Sequence, residues 1–217
     1  YYNYSISQQI YTADEMWNLS ESTISTISFK QFSATGSLTR NLAIYLLNTD
    51  RTDFAYYGSN WEPVTEADLV FSGDVTTPGV AGEWLEIELQ TPFHYTGGNV
   101  LLCVLDNTGS WKENLQFQTF DVNVEWVGDG RGVSICQYRD YNQITIDAMP
   151  SGMLDDSRNT VQFSIVSEPG LSVSPKDGID LGVIQLGNYW PEKAEASANV
   201  SVSAIERTVE SITCDND

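Results

Sequence analysis

Positive charge is what this chain has least of. Lys and Arg together number 10 against 30 Asp and Glu, a formal net charge of −20. Nucleic acids and anionic lipid surfaces both need Lys or Arg to displace their counterions, so neither is an expected partner. Histidine occurs once, as His94, and any conventional nucleophile–base triad would have to use it. The cysteines, Cys103, Cys136 and Cys214, are an odd number without CxxC spacing, which indicates neither a disulfide framework nor a zinc site. No apolar run reaches transmembrane length, so direct membrane insertion is not expected. Helical periodicity is missing too: its best short stretch, TADEMWNLSES (12–22), reads as a loop or a single turn. The chain does not start with Met and shows no signal h-region, from which we expect a portion of a longer precursor.

What is present is β-strand material and enough apolar mass for a core, with hydrophobic residues at 41% and aromatics at 12%. EWLEIEL (83–89) alternates Leu85, Ile87 and Leu89 against Trp84, Glu86 and Glu88, which predicts one dry and one wet face. NLAIYLL (41–47), DLVFSGDV (68–75), NVLLCVL (99–105), ENLQFQTF (113–120) and TVQFSIV (160–166) are further strand-like runs, separated by Gly, Pro, Asn and Asp clusters. The spacing predicts an all-β sandwich or barrel. Composition shifts at SEPG (167–170), where the aromatics thin out, and we place a boundary there between domains 1–167 and 168–217. The shorter second part is too small for an ordinary independent sandwich, which favours a domain cut off part-way.

The stretch TPFHYTGGNVLLCVLDNTGSW (91–111) contains His94, Cys103 and Asp106, the residue types of a Cys-His-Asp hydrolase. Its local grammar points elsewhere. Thr96-Gly97-Gly98-Asn99 and Asp106-Asn107-Thr108-Gly109 are turn sequences, and VLLCVL is apolar on both faces, as in a central strand. Cys103 sits mid-run, where no electropositive niche would make a thiolate, and Asp106, three residues on, leaves the opposite strand face. The stretch is expected to be a β-hairpin without catalytic function.

In order along the chain come STISTISFKQF, RNLAIYLLNTDRTDF, NWEPVTEADLVFSGDV and then EWLEIELQTPFHYTGGNVLLCVLDNTGSW, with RNTVQF (158–163) as a closing strand. This ordered set resembles the cleaved-adhesin (gingipain haemagglutinin-type) domain of Bacteroidetes surface and secreted proteins, over roughly residues 1–167. LSVSPKDGIDLGVIQLG resembles the opening of an Ig-like module. The resemblance implies a jelly-roll β-sandwich followed by an incomplete Ig-like β-segment, export to the cell surface or medium, and a place in a larger multidomain chain. It also implies a non-enzymatic role in attachment to a host protein or glycan, often with structural calcium.

Loop aromatics are the natural binding candidates, because sugar CH faces and apolar peptide groups stack on rings. They are Tyr56, Tyr57 and Trp61 in YYGSNW, Trp111 after the DNTGS turn, and Tyr138 and Tyr141 in YRDYN. Each competes with a plain packing role over the end of a sandwich. Calcium would draw on loop carboxylates such as Asp106, Asp129, Asp140 and Asp155, although no segment has EF-hand spacing and a chain this acidic has Asp on many loops. Glu86 and Glu88, about 7 Å apart on one strand face, are the nearest approach to a glycosidase pair but match any acidic solvent face. A binding module is therefore expected first, a structural spacer second and a β-sandwich glycoside hydrolase third.

Overall fold

A computed structural model describes residues 2–16, 22–55, 61–111, 114–121, 131–166, 172–174 and 201–203. The chain divides into two compact units, Tyr1–Val166 and Ser167–Asp217. In the first, β1 (Tyr4–Tyr11), β2 (Ser22–Lys30), β3 (Thr39–Thr49), β4 (Phe54–Ala55), β5 (Leu69–Thr76), β6 (Trp84–Tyr95) and β7 (Asn99–Asp106) are followed by β8 (Thr119–Asp121) and β9 (Arg131–Gly132). Then come β10 (Ser134–Arg139), β11 (Met153–Asp155), β12 (Ser157–Asn159) and β13 (Val161–Val166). Helix is confined, among the described residues, to the single 3-10 turns Glu66–Asp68 and Ile146–Ala148. In the second unit β14 (Ser172–Ser174) pairs antiparallel with β15 (Ser201–Ser203); the rest of the segment read as Ig-like lies outside the described residues.

The protein is an all-β antiparallel sandwich. A six-stranded sheet, ordered β11-β10-β1-β7-β3-β5, faces a three-stranded sheet, β13-β2-β6. Strand chemistry sorts the strands between them. In β6 Leu85, Ile87 and Leu89 are buried while Glu86 and Glu88 are exposed, so this one-faced strand belongs in the outer sheet, its carboxylates in water. In β7 Val100, Leu101, Leu102, Cys103 and Leu105 are all buried, and the strand runs mid-sheet between β1 and β3. Its even-numbered side chains join Leu42, Ile44 and Leu46 of β3 and Ile24, Ile27, Leu85 and Ile87 of the outer sheet in one core. Its odd-numbered ones pack on the other face with Ile6, Ile10, Phe54, Trp61 and Ile144. Packed on that second face are Phe54 of β4, Trp61 and Val64, together with Ile144, Ile146 and Met149.

The expected hairpin is corrected here. β6 and β7 do not pair: β6 bonds to β2, and Thr96–Asn99 carries the chain across the sandwich to the six-stranded sheet. Gly97 and Gly98, at φ 97° and 84°, make the tight crossing possible, and Tyr95 Oη caps it by donating to Gly98 O at 2.6 Å. Turn residues alone cannot tell a hairpin from such a crossing; the wet face of β6 and the two dry faces of β7 decide it. ENLQFQTF is also not one strand, since Asn114 turns at φ 66° and only an isolated bridge, Gln31 to Phe117, precedes β8.

Side-chain amides take over where strand pairing runs out. Buried Gln8 donates to Glu62 O and accepts from Glu62 N, both at 2.8 Å, clipping the covering loop to β1 as a further strand residue would. Gln90 does the same for Ser72, joining β6 to β5 across the sheets. Asn48 holds His94 O and Thr96 N beside the crossing. At Gln8 the bonds spare two part-buried backbone groups the cost of a missing partner.

Candidate functional site

His94, Cys103 and Asp106 are not brought together. His94 is exposed on β6 of the outer sheet. Cys103 is fully buried among the odd-numbered side chains of β7, and burial pushes its thiol up to about 12, against a smaller opposing hydrogen bond from Gln8. Asp106 leaves the other face, as its odd spacing requires, and there it meets Arg40.

Asp106 anchors the candidate site, and the strand register explains its surroundings. Tyr138 of β10 pairs with Ser5 of β1, Ser5 with Asp106 of β7, and Asp106 with Leu42 of β3. Cross-strand partners share a sheet face, so these side chains form a row at the end where β1 begins and β7 and β10 finish. Arg40, two residues before Leu42, reaches along the same face. Its Nη2 and Nε lie 2.6 and 2.8 Å from Asp106 Oδ2, and its Nη1 donates to Ser110 O at 2.8 Å. Asp106 Oδ1 accepts from the amide and hydroxyl of Thr108 at 3.0 and 2.5 Å. Side-chain exposures of 9% for Arg40 and 15% for Asp106 mark a largely desolvated, charge-neutral pair.

Above this pair the outer sheet no longer covers the inner one. A cleft of about 390 Å³ opens between Ser5, Arg40 and Asp106 on the floor, Leu115 and Phe117 on one wall, and Tyr2 and Tyr138 at the mouth. A contiguous recess of about 180 Å³ extends inward past Ser7, Phe29, Leu42 and Asn159. Tyr2 and Tyr138 stack with ring centroids 4.0 Å apart and planes inclined by 26°, and both stay more than one-third exposed. Trp111, the residue after Ser110, is 51% exposed, and Tyr141, beyond β10, is 82% exposed. Asn3 ties that last loop down by donating to Asp140 O at 2.9 Å.

Three of the aromatics expected as binding residues, Trp111, Tyr138 and Tyr141, thus gather at one end of the six-stranded sheet, joined by Tyr2. Tyr56 and Tyr57 lie outside the described residues. Trp61 is corrected: it is 7% exposed in the core under the covering loop, its indole N–H donating to Pro150 O at 2.6 Å. A ring that large beside a gap in the sheet cover contributes more as filling than as a rim.

Among the described residues the expected calcium ligands do not converge. Asp106 is corrected as a candidate, because the Arg40 guanidinium already neutralises it and Thr108 occupies its other oxygen. Asp155 Oδ1 accepts from the amide and hydroxyl of Ser157 at the opposite end of β10, whereas Asp140 follows the end of β10 that faces the cleft. Asp129 lies outside the described residues, among which no three His, Cys, Asp or Glu side chains form a metal-holding group. The same residues include no helix long and apolar enough to cross a membrane.

Sequence reasoning missed Tyr2, Ser5, Arg40 and Phe117. A signal existed for Arg40: a lone cation opening an apolar strand in a chain this poor in cations asks for a buried carboxylate partner. Compared with known proteins, the chain matches no family model, no curated protein and no solved structure.

Proposed function

We propose that the first unit is a non-catalytic binding module that takes its ligand in the cleft between the Tyr2–Tyr138 pair and the Arg40–Asp106 pair. The observation that carries this reading is the combination in one recess of an exposed ring stack at the mouth and a satisfied, immobile polar floor. Rings supply contact area at little entropic cost, and a preorganised floor supplies direction. Hydrolysis of a glycosidic bond needs two carboxyl groups flanking it; among the described residues the cleft offers Asp106 alone, held by Arg40 and Thr108. Glu86 and Glu88 stand in solvent on the other sheet.

A host protein or glycan is the partner class this reading proposes, with the module displayed at a bacterial surface or secreted as part of a larger chain. Its support there is the ordered set of segments that resembles the cleaved-adhesin domain. The test is a binding screen of the intact chain against immobilised host proteins and glycans. The expected outcome is retention of at least one ligand, with retention lost in Tyr138→Ala. Measurable turnover of a polysaccharide with no retained ligand overturns the reading.

A further inference from the structure

Resting on the reading above, we infer that the ligand of the Tyr2–Tyr138 cleft is an uncharged sugar residue of a neutral glycan. Three features of the recess select that chemistry. The first is its electrostatics. Arg40 and Asp106 cancel each other at 2.6 Å, so the floor offers no net charge to an acidic or a basic group. Asp106 already accepts three hydrogen bonds and lies 2.6 Å from Arg40 Nη2, so both its oxygens are occupied. Arg40 donates from Nε to Asp106 and from Nη1 to Ser110 O, and its Nη2 lies against Asp106 Oδ2. What the floor can still offer is hydrogen bonding without net charge, from the remaining N–H groups of the paired guanidinium and the hydroxyls of Ser5 and Ser7. Hydroxyl oxygens of a sugar ring match it.

The second feature is the mouth. Tyr2 and Tyr138 are already stacked on each other, which holds the rings in place and leaves exposed ring surface beside the opening. A pyranose presents an apolar CH face on one side and hydroxyls at its edge, the same division as ring surface at the mouth and polar groups below. The third feature is what surrounds the floor. β1 and β7, which carry Ser5 and Asp106, lie inside the sheet with neighbours on both sides, so the floor gives an extended peptide no free strand edge to pair with. A peptide would lose its main source of affinity there, whereas a sugar read through side chains loses nothing. The charge of −20 on the chain further disfavours uronic and sialic acids.

The test titrates the intact chain, by ligand-observed NMR, with neutral oligosaccharides, with matched oligosaccharides carrying uronic or sialic acid, and with uncharged peptides. Neutral oligosaccharides are expected to bind at least tenfold more tightly than the acidic set. Tyr138→Ala is expected to weaken that binding at least tenfold, Tyr138→Phe less than threefold, and Tyr141→Ala, outside the cleft, not at all. The thermal midpoint of each variant reports that the fold is intact. If acidic glycans or peptides bind with the same dependence on Tyr138, the sugar assignment falls and the binding cleft stands. If nothing binds, or binding ignores Tyr138→Ala in a folded protein, the cleft falls and the sugar assignment with it.

Discussion

The two faces of the six-stranded sheet are finished in different ways. The face of Cys103 and Leu101 is sealed by a loop layer in which every device serves closure: Trp61 fills space and Gln8 bonds the loop backbone as a strand would. The opposite face is sealed by the three-stranded sheet over most of its length, through Ile24, Ile27, Leu85 and Ile87, and then left open beyond Ser5 and Asp106. At that opening the polar groups are locked by one another, not by a cover. The lesson is that a candidate site arises where sheet-on-sheet cover stops short, and that a desolvated ion pair is what lets it stop there without an unpaired charge.

Changes on the sealed face are expected to cost stability and leave ligand binding alone. Trp61→Ala carries the largest expected effect, about 3–5 kcal/mol by urea denaturation, because a large buried side chain is lost and the loop cannot collapse fully into the gap. Gln8→Leu is smaller, about 2–3 kcal/mol, since it strands the amide and carbonyl of Glu62 while keeping the volume. A stability within about 0.5 kcal/mol of the parent for either variant would show that the loop layer is not a structural cover.

The ion pair that closes the far side supplies a pH handle. Arg158, 2% exposed, donates both terminal nitrogens to Glu15 and one of them also to Ile10 O, with its guanidinium between the rings of Tyr11 and Phe120. Burial alone raises the Glu15 pKa, but the hydrogen bonds from Arg158 and from Thr12 outweigh it and the net shift is downward. A carboxylate lowered in the folded state contributes stability that is present above its unfolded pKa and disappears as pH falls through the folded one. Glu15→Gln is therefore expected to cost about 1 kcal/mol at pH 7, the scale of a charged hydrogen bond reduced by solvent screening of a side chain that is 35% exposed. Its deficit should shrink as the pH falls below the ordinary glutamate range and the parent carboxyl protonates at its lowered folded pKa. A deficit independent of pH would mean that packing, not charge, holds the turn at residues 12–16.

The smallest stability effects are expected at the open end. Tyr138→Ala should lie within about 0.5 kcal/mol of the parent in urea, because the ring is 38% exposed and shields little of the core. Binding, by contrast, should be lost. A loss of 2 kcal/mol or more would make the Tyr2–Tyr138 stack a cover like the loop layer and remove the contrast between the faces.

Much of the sandwich is legible along the chain, and its gaps have physical causes. β6 and β7 declare themselves by alternation and by a two-faced apolar run. β1 does not, because Gln8 and Gln9 look like solvent residues; both are buried, Gln8 on the Glu62 backbone and Gln9 against Asn159 at 2.6 Å. Amides that stand in for backbone cannot be told from surface amides until their partners, here 54 and 150 residues away, are placed. The candidate site is half legible. Trp111, Tyr138 and Tyr141 stand out as loop aromatics, yet Trp61 stands out equally and goes to the core, while Arg40 and Ser5 give no local sign of a shared recess.

The sequence by itself determined the strand alphabet, the acidic character, and the separation of Cys103 from Asp106 onto opposite faces, since these follow from composition and side-chain periodicity. Only the tertiary structure decided that β6 and β7 lie in different sheets, that Asp106 is matched to Arg40, and which aromatics reach water. Those outcomes depend on how far one sheet extends over another, and that extent is set by contacts between residues distant along the chain.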